Sequence, residues 1–406
     1  MTGKQAMKKQ YTTSHSHTFS GVLIILSIFV VAGCAIFPAP KPTATATVND
    51  DTNVDFSNAF PSTTPLVCPG SSSNGQNSFV KSNGTQFVYN NSPLKFYGFT
   101  FYPSTVGGSS AWRKADFTHY IDHILDLGAQ AGQNLIRPTD FWDQHYHDNK
   151  QDDITVWKNM DYLVCAAQQR GMFVVMDVSA FGWFIVSQNH DRFNAKHWKL
   201  FLDAVGKHYS NQAAIAFYSI VGEPEPPKNS ADLNKIVDFY RTVTDDLRAA
   251  DANHLIMAGG FNHMEDESPQ LPWWHKIYAL PNNDIAGYKT YSQDDLNLIS
   301  TIADYTRQLG KPMVDEEFGL QQKQGDATAT GEVYNGLQIS RAQFYNDVYN
   351  IGAANGTQGF VFWNLGCEMA DTSYEVSPNT PAVWLVVQQH APEQLAAPES
   401  QPACPS

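Results

Sequence analysis

Eight short apolar runs, each followed by a loop or an amphipathic stretch, limit the folds open to this chain more than any other feature. The runs are LKFYGFTFY (94–102), NLIRP (134–138), MFVVMDV (172–178), AIAFYSIV (214–221), HLIMAGG (254–260), IAGY (285–288), PMVDEEF (312–318) and GFVFWNL (359–365). Each has the length of a strand and is short for a helix. Between them lie segments with helical spacing of apolar residues: FTHYIDHILDLGAQAG, NAKHWKLFLDAVGKHY, ADLNKIVDFYRTVTDDLRAA and QDDLNLISTIADYTRQLG. Several of these end near Gly, as helix C-termini do. Crossovers of this kind favour parallel pairing, so the expected fold class is α/β, a (β/α)8 TIM barrel. An open doubly wound sheet has the same local pattern, but no GxGxxG follows the first strand, which argues against its dinucleotide-binding form. A short N-terminal β-hairpin precedes the barrel: SFVKSNGTQFVY places Asn83-Gly84 at a tight turn.

The segments before the barrel read differently. Lys4, Lys8 and Lys9 precede the apolar run GVLIILSIFVVA (21–32), which is short for a membrane span. Val31-Ala32-Gly33-Cys34 resembles a bacterial lipobox. On that resemblance residues 1–33 are a lipoprotein signal peptide and Cys34 is the lipidated first residue of the mature chain. The implied location is extracellular, lipid-anchored to the bacterial cell membrane. Residues 34–67, rich in Pro, Thr, Ala and Asn, read as a flexible tether, and 68–406 as the folded domain. Loss of residues 1–33 removes three Lys and no acid, taking the net charge from −14 to about −17. So acidic a chain is a poor partner for nucleic acid and suits a neutral substrate. Export permits disulfides. Cys68 and Cys404 flank the domain and are expected to pair, with Cys165, inside a helical pattern, a buried free thiol. Cys367 completes the five cysteines, and none has zinc-site spacing.

Two acids stand where a barrel does its chemistry. Glu223 follows the fourth strand in YSIVGEPEPP and Glu317 closes the seventh in KPMVDEEFG. Strand C-termini form the catalytic rim of such barrels. Carboxyl groups on opposite sides of that rim can flank a glycosidic bond, one protonating the leaving oxygen and one meeting the anomeric carbon. Retention of configuration asks for a separation of about 5–5.5 Å.

From the hairpin to about Gln389 the chain resembles glycoside hydrolase family 5 or a close relative in clan A. The segments that carry the resemblance are FVYNNSPLKFYGFTFYP, GAQAGQNLIRPTD, GMFVVMDV, IVGEPE, KPMVDEEFG and GFVFWNLG. It implies Glu223 as acid/base and Glu317 as nucleophile. It also implies Arg137 as the group that keeps the nucleophile ionised, and Tyr291, ahead of its rival Tyr288, as a hydrogen-bond donor to it. Trp363 would be the aromatic floor beneath the cleaved sugar. Trp112, Trp183, Trp273 and Trp274 fall in rim loops and are candidates to extend the cleft. Glu316 is set aside because side chains alternate along a strand, and Glu225 because it lies further out in its loop.

The chain also departs from the family. Gly222 stands where an Asn, bonding the sugar 2-hydroxyl, usually precedes the acid/base. The usual His-x-Tyr reads Lys289-Thr290-Tyr291, and the third strand runs into Asp177-Val178-Ser179, where a His often follows the Asp. Asn262 and His263, after the fifth strand, are the candidates to replace the lost 2-hydroxyl contact. These departures mark an atypical member.

The expected activity is retaining hydrolysis of a β-1,4-linked polysaccharide, mannan or glucomannan first. A cellulase-like β-1,4-glucanase, a transglycosylase and a non-catalytic carbohydrate-binding lipoprotein are the alternatives. The expected partners are a polysaccharide or oligosaccharide and the membrane through the anchor alone; the protein is expected to be a monomer, with no cofactor and no metal.

Overall fold

The computed structural model describes residues 60–69, 78–103, 108–139, 141, 150–187, 190–321, 333–334, 337–366 and 374–391. The signal peptide, Cys34, Cys367, Cys404 and most of the tether lie outside them.

All eight runs are strands: β1 (Phe96–Phe101), β2 (Leu135–Pro138), β3 (Phe173–Asp177), β4 (Ile215–Ser219), β5 (Leu255–Phe261), β6 (Ile285–Thr290), β7 (Met313–Phe318) and β8 (Gly359–Phe362). Each pairs in parallel with the next, and β8 returns to β1, so the sheet closes. The helices are α1 (Thr118–Gln130), α2 (Lys150–Gln169), α3 (Ala180–Ser187), α4 (Lys199–Tyr209), α5 (Ser230–Ala250), α6 (Trp273–Tyr278), α7 (Gln293–Leu309), α8 (Arg341–Asn355) and α9 (Pro381–His390). The starts of α5, α7 and α8 follow from local chemistry. Asn229 caps α5 by accepting from Ala231 N and Asp232 N, Ser292 caps α7 and Ser340 caps α8. Gly310 and Gly356 end α7 and α8 in the left-handed region, at φ 65° and 93°.

Alternation along the strands divides the core in two. Ile136, Val174, Met176, Ile256, Ala286 and Phe360 face the helices and belong to the large outer core. Phe96, Leu135, Val175, Phe217, Ile285 and Val314 fill the barrel axis. Two or four residues further along the same inward rows the chemistry changes: Arg137, Asp177, Ser219, Lys289 and Glu316, all buried. The interior is thus apolar at its base and charged at its mouth.

The hairpin forms as Lys81–Asn83 and Gln86–Tyr89, with Gly84 at φ 59° in the turn, and Ser92–Leu94 adds a third antiparallel strand. Its Phe87 stoppers the base of the barrel, with its ring 5.0 Å from Phe96 and 6.3 Å from Phe217.

Three expectations change here. Cys165 is not a free thiol, because it is bonded to Cys68, with Cα atoms 5.2 Å apart. Pairing of Cys68 with Cys404 is therefore wrong. The ends of a sequence carry no information about which helix a terminal segment crosses, and Cys68 crosses α2. Part of the presumed tether is packed: Phe60 sits edge-on to Phe181 and Phe201, and Leu66 N donates to His208 O (2.8 Å). Trp112, Trp273 and Trp274 are buried core, and only Trp183 of the four rim candidates is exposed, at 58%.

Candidate active site

The charged mouth gathers around Arg137 at the tip of β2. Its guanidinium meets Glu317 Oε2 at 2.6 Å, Asp177 Oδ2 at 2.6 Å and Glu316 Oε1 at 3.4 Å. Planar, always charged and many-donored, Arg is the side chain able to serve several buried carboxylates at once. Lys289 enters from β6 and places Nζ 2.8 Å from Glu317 Oε2 and 3.1 Å from Glu223 Oε1. Tyr291 OH donates to the other Glu317 oxygen, Oε1, at 2.5 Å.

Glu317 therefore faces two cations and a phenol. Burial works to raise its carboxyl, but Lys289, Arg137 and their hydrogen bonds outweigh it and hold the group at about 2. Burial and the Glu317 charge push the Tyr291 phenol well up, so it remains a donor. Glu223 differs in setting: its side chain is 49% exposed, it follows β4 with φ 51°, and its N–H donates to Gly260 O (3.1 Å).

One ammonium touching both carboxylates limits their separation. The two Lys289 bonds laid end to end are the greatest possible distance between Glu223 Oε1 and Glu317 Oε2. These two oxygens are therefore close enough to flank one glycosidic bond.

The other expected residues fall as follows. Tyr288 is buried away from the pair, its hydroxyl 2.9 Å from Thr357 Oγ1, so Tyr291 is the tyrosine at Glu317. Trp363 is half-buried at the end of β8, its ring 5.3 Å from Tyr102, and its N–H donates to Phe318 O (2.7 Å). The peptide bond to Asn364 is cis. His263 is exposed and points to Glu265 (3.8 Å). Asn262 follows β5, and its Oδ1 is buried without a hydrogen-bond partner among the described residues. Neither is in hydrogen-bond contact with the acid pair. Glu225 is exposed in its loop.

Glu316 and Glu317 do not point to opposite faces of β7, as alternation would have them. A register shift between Asp315 and Glu317 against β6, and between Asp315 and Phe318 against β8, marks a bulge. Both glutamates consequently turn toward Arg137. Glu316 lies deeper, fully buried, accepting from Gly260 N, and burial pushes its carboxyl up against the pull of Arg137. A Cβ on Gly260 would overlap Glu316 Oε2, so glycine is required there.

Sequence reasoning assigned no role to Lys289 or Asp177 and overlooked Arg192. Counting by twos from Ile285 places Lys289 inward and would have found it. Arg192 donates to the Glu223 carbonyl (3.3 Å) and lies 4.7 Å over the exposed Trp183 ring, a contact between distant loops with no sequence signal.

Residues 94–366 match the family described as cellulase (glycosyl hydrolase family 5). Mannan endo-1,4-beta-mannosidase A of Podospora anserina is 23% identical, over 74% of this chain and 86% of the relative. Mannan endo-1,4-beta-mannosidase 2 of Arabidopsis thaliana is 22% identical, over 70% and 76%. Among solved structures, the endo-1,4-beta-mannanase from Rhizomucor miehei superimposes with a TM-score of 0.58 at 16% identity, over 77% of this chain and 98% of that one. At that identity the likeness speaks for the fold.

Proposed function

The chain belongs to glycosyl hydrolase family 5, and from that premise we propose that this glycoside hydrolase cleaves β-1,4-linked mannan or glucomannan by double displacement with retention. The observation that carries the reading is the Lys289 ammonium touching both carboxylates, one of them held ionised.

In the first step a Glu317 oxygen attacks the anomeric carbon as the bond to the leaving oxygen breaks, and Glu223 gives that oxygen its proton. In the second, Glu223 takes a proton from water, water oxygen bonds to the anomeric carbon, and the glycosyl–Glu317 ester bond breaks. The negative charge moves from Glu317 to Glu223 in the first step and returns in the second. Lys289 contacts both, so one fixed cation accompanies the charge wherever it resides. Fixed charges that need no reorganisation are the effective kind. Tyr291 and Arg137 hold the Glu317 carboxylate in place, and Trp363 offers the sugar an apolar floor.

The mannan preference rests on the curated relatives, both mannan endo-1,4-beta-mannosidases. Hydrolysis of mannan, glucomannan, cellulose and mixed-linkage glucan, with the anomer of the first product read by NMR, tests the reading. Cleavage of mannan or glucomannan to the β-anomer is expected, abolished in Glu317→Ala. Cleavage of glucan alone would make the chain a glucanase of the same mechanism, and an α-anomer would overturn the mechanism. Polymer that binds and survives would make it a binding protein.

We also propose that Cys34 is lipidated and that the enzyme works outside the cell, tethered to a bacterial membrane. Incorporation of labelled palmitate on expression of the full chain, lost in Cys34→Ser, is the expected result; equal labelling of both would refute it.

A further inference from the structure

Gly222 and Lys289, two departures from the family pattern beside the acid pair, lie against each other in the fold. A Cβ built on Gly222 would stand 3.1 Å from Gly260 O, 3.5 Å from Lys289 Cε and 3.6 Å from Lys289 Nζ. The space that a longer side chain at 222 would enter is thus occupied by the tip of Lys289, arriving from another strand.

An ammonium has three N–H donors and no acceptor. Among the described residues Lys289 uses two, on Glu223 Oε1 and Glu317 Oε2, and its third has no partner. The side chain is 5% exposed, so a hydrogen bond made by that donor forms in a poorly hydrated place, where it is stronger than in water. A ligand atom that arrives there is therefore bound well.

The chemistry of the ring identifies that atom. In a pyranose the 2-hydroxyl is borne by the carbon next to the anomeric one. In the flattened, half-chair or boat-like ring of the transition state the 2-hydroxyl swings toward the plane of the anomeric carbon, beside the attacking carboxylate and within reach of an ammonium already bonded to it. A hydroxyl can accept from Lys289 while donating to Glu317. Its O–H acidifies as positive charge grows at the neighbouring carbon, so that chain tightens toward the transition state.

We propose that Lys289 Nζ, in the space left open by Gly222, binds the 2-hydroxyl of the sugar being cleaved and sets the preference for its axial or equatorial orientation. The proposal rests on the two-glutamate reading of the site. It assigns to Lys289 the contact for which Asn262 and His263 were the earlier candidates.

The test uses dinitrophenyl glycosides of the disaccharide repeat of whichever polymer the enzyme cuts. The ring next to the leaving group carries the 2-hydroxyl in natural orientation, inverted, or not at all. Dinitrophenolate leaves without a proton, so changes at Glu223 drop out. The intrinsic reactivity of the 2-deoxy ring is common to all enzyme forms, so ratios of kcat/KM between forms isolate the contact.

Relative to Lys289→Met, the wild type should favour the hydroxylated ring over the 2-deoxy ring by on the order of 100-fold. The same double ratio should separate the two epimers. The double variant Gly222→Asn with Lys289→His, which restores the family pair, should recover the preference that Lys289→Met loses. A Lys289→Met enzyme as selective as wild type would overturn the proposal. If that variant is inactive, Lys289→Gln, which keeps a neutral donor, decides: a double ratio well below that of the wild type supports the proposal, and one equal to it refutes the proposal. A wild type that cuts no polymer removes the two-glutamate reading, and this assignment falls with it.

Discussion

At the scale of single residues, Lys289 and Glu317 make the site's behaviour depend on pH in a definite direction. The Glu317 carboxyl is lowered from 4.5 to about 2 in the folded protein. A depressed carboxyl contributes stability that is complete above its unfolded value and is lost as pH falls through its folded one. The contribution of Glu317 should therefore disappear between about pH 4.5 and pH 2. Urea midpoints of wild type and Glu317→Gln should converge across that window; parallel curves would show that the ion pairs hold nothing. Removing the Lys289 charge should raise Glu317 and move the acid limb of kcat/KM in Lys289→Met up by on the order of one pH unit. An unmoved limb would mean that Arg137 and Tyr291 alone suffice. Glu223 and Glu317 were legible from strand position, and Arg137 and Tyr291 from resemblance. Glu316 was misread because alternation assumes an unbulged strand, and whether β7 bulges depends on β6 and β8 beside it.

At the scale of elements, the eight strand positions were visible because a buried strand between turns leaves its mark in a few consecutive residues. IAGY understated β6, which runs on through Lys289–Thr290. A charged residue ends an apolar run, yet here it continues the inward row into the mouth. The helices dock where small residues allow it. Gly128 in α1 faces the fully buried Phe99 of β1, and a Cβ there would overlap the ring. Gly128→Ala should destabilise the fold by about 1–3 kcal/mol, read from the urea midpoint, since a buried ring has little room to give way. The α5 cap is a milder case: Asn229→Ala should cost about 1 kcal/mol, because Ala231 N and Asp232 N lose their acceptor. A smaller loss for Gly128→Ala than for Asn229→Ala would show that α1 can shift along the sheet.

At the scale of the whole molecule, closure places chemistry at one end and reinforcement at the other. Strand C-termini form the charged mouth, and Phe87 of the N-terminal sheet fills the base. The Cys68–Cys165 bond belongs to the base as well. Cys165 lies in the last turns of α2, just before β3 begins, and the Cys68 segment runs beside the C-terminal end of α4. Closing a span of 97 residues, the disulfide should contribute about 2–4 kcal/mol. Cys165→Ser should lower Tm while leaving kcat within about twofold, since the bond is remote from the mouth. A large fall in kcat would mean that the base and the mouth are coupled.

The sequence alone determined the class of fold, the strands, the hairpin and the two glutamates at strand ends. All of these follow from order along the chain: periodicity, turn residues and position relative to a strand end. Only the tertiary structure decided that Cys68 meets Cys165, that three tryptophans are core, and that the bulge in β7 puts Glu317 on the same side as the inward Glu316. It alone brought Lys289 into the gap beside Gly222 and between Glu223 and Glu317. Such contacts join residues far apart in the chain through a barrel that must close on itself, and closure is a property of all eight strands together.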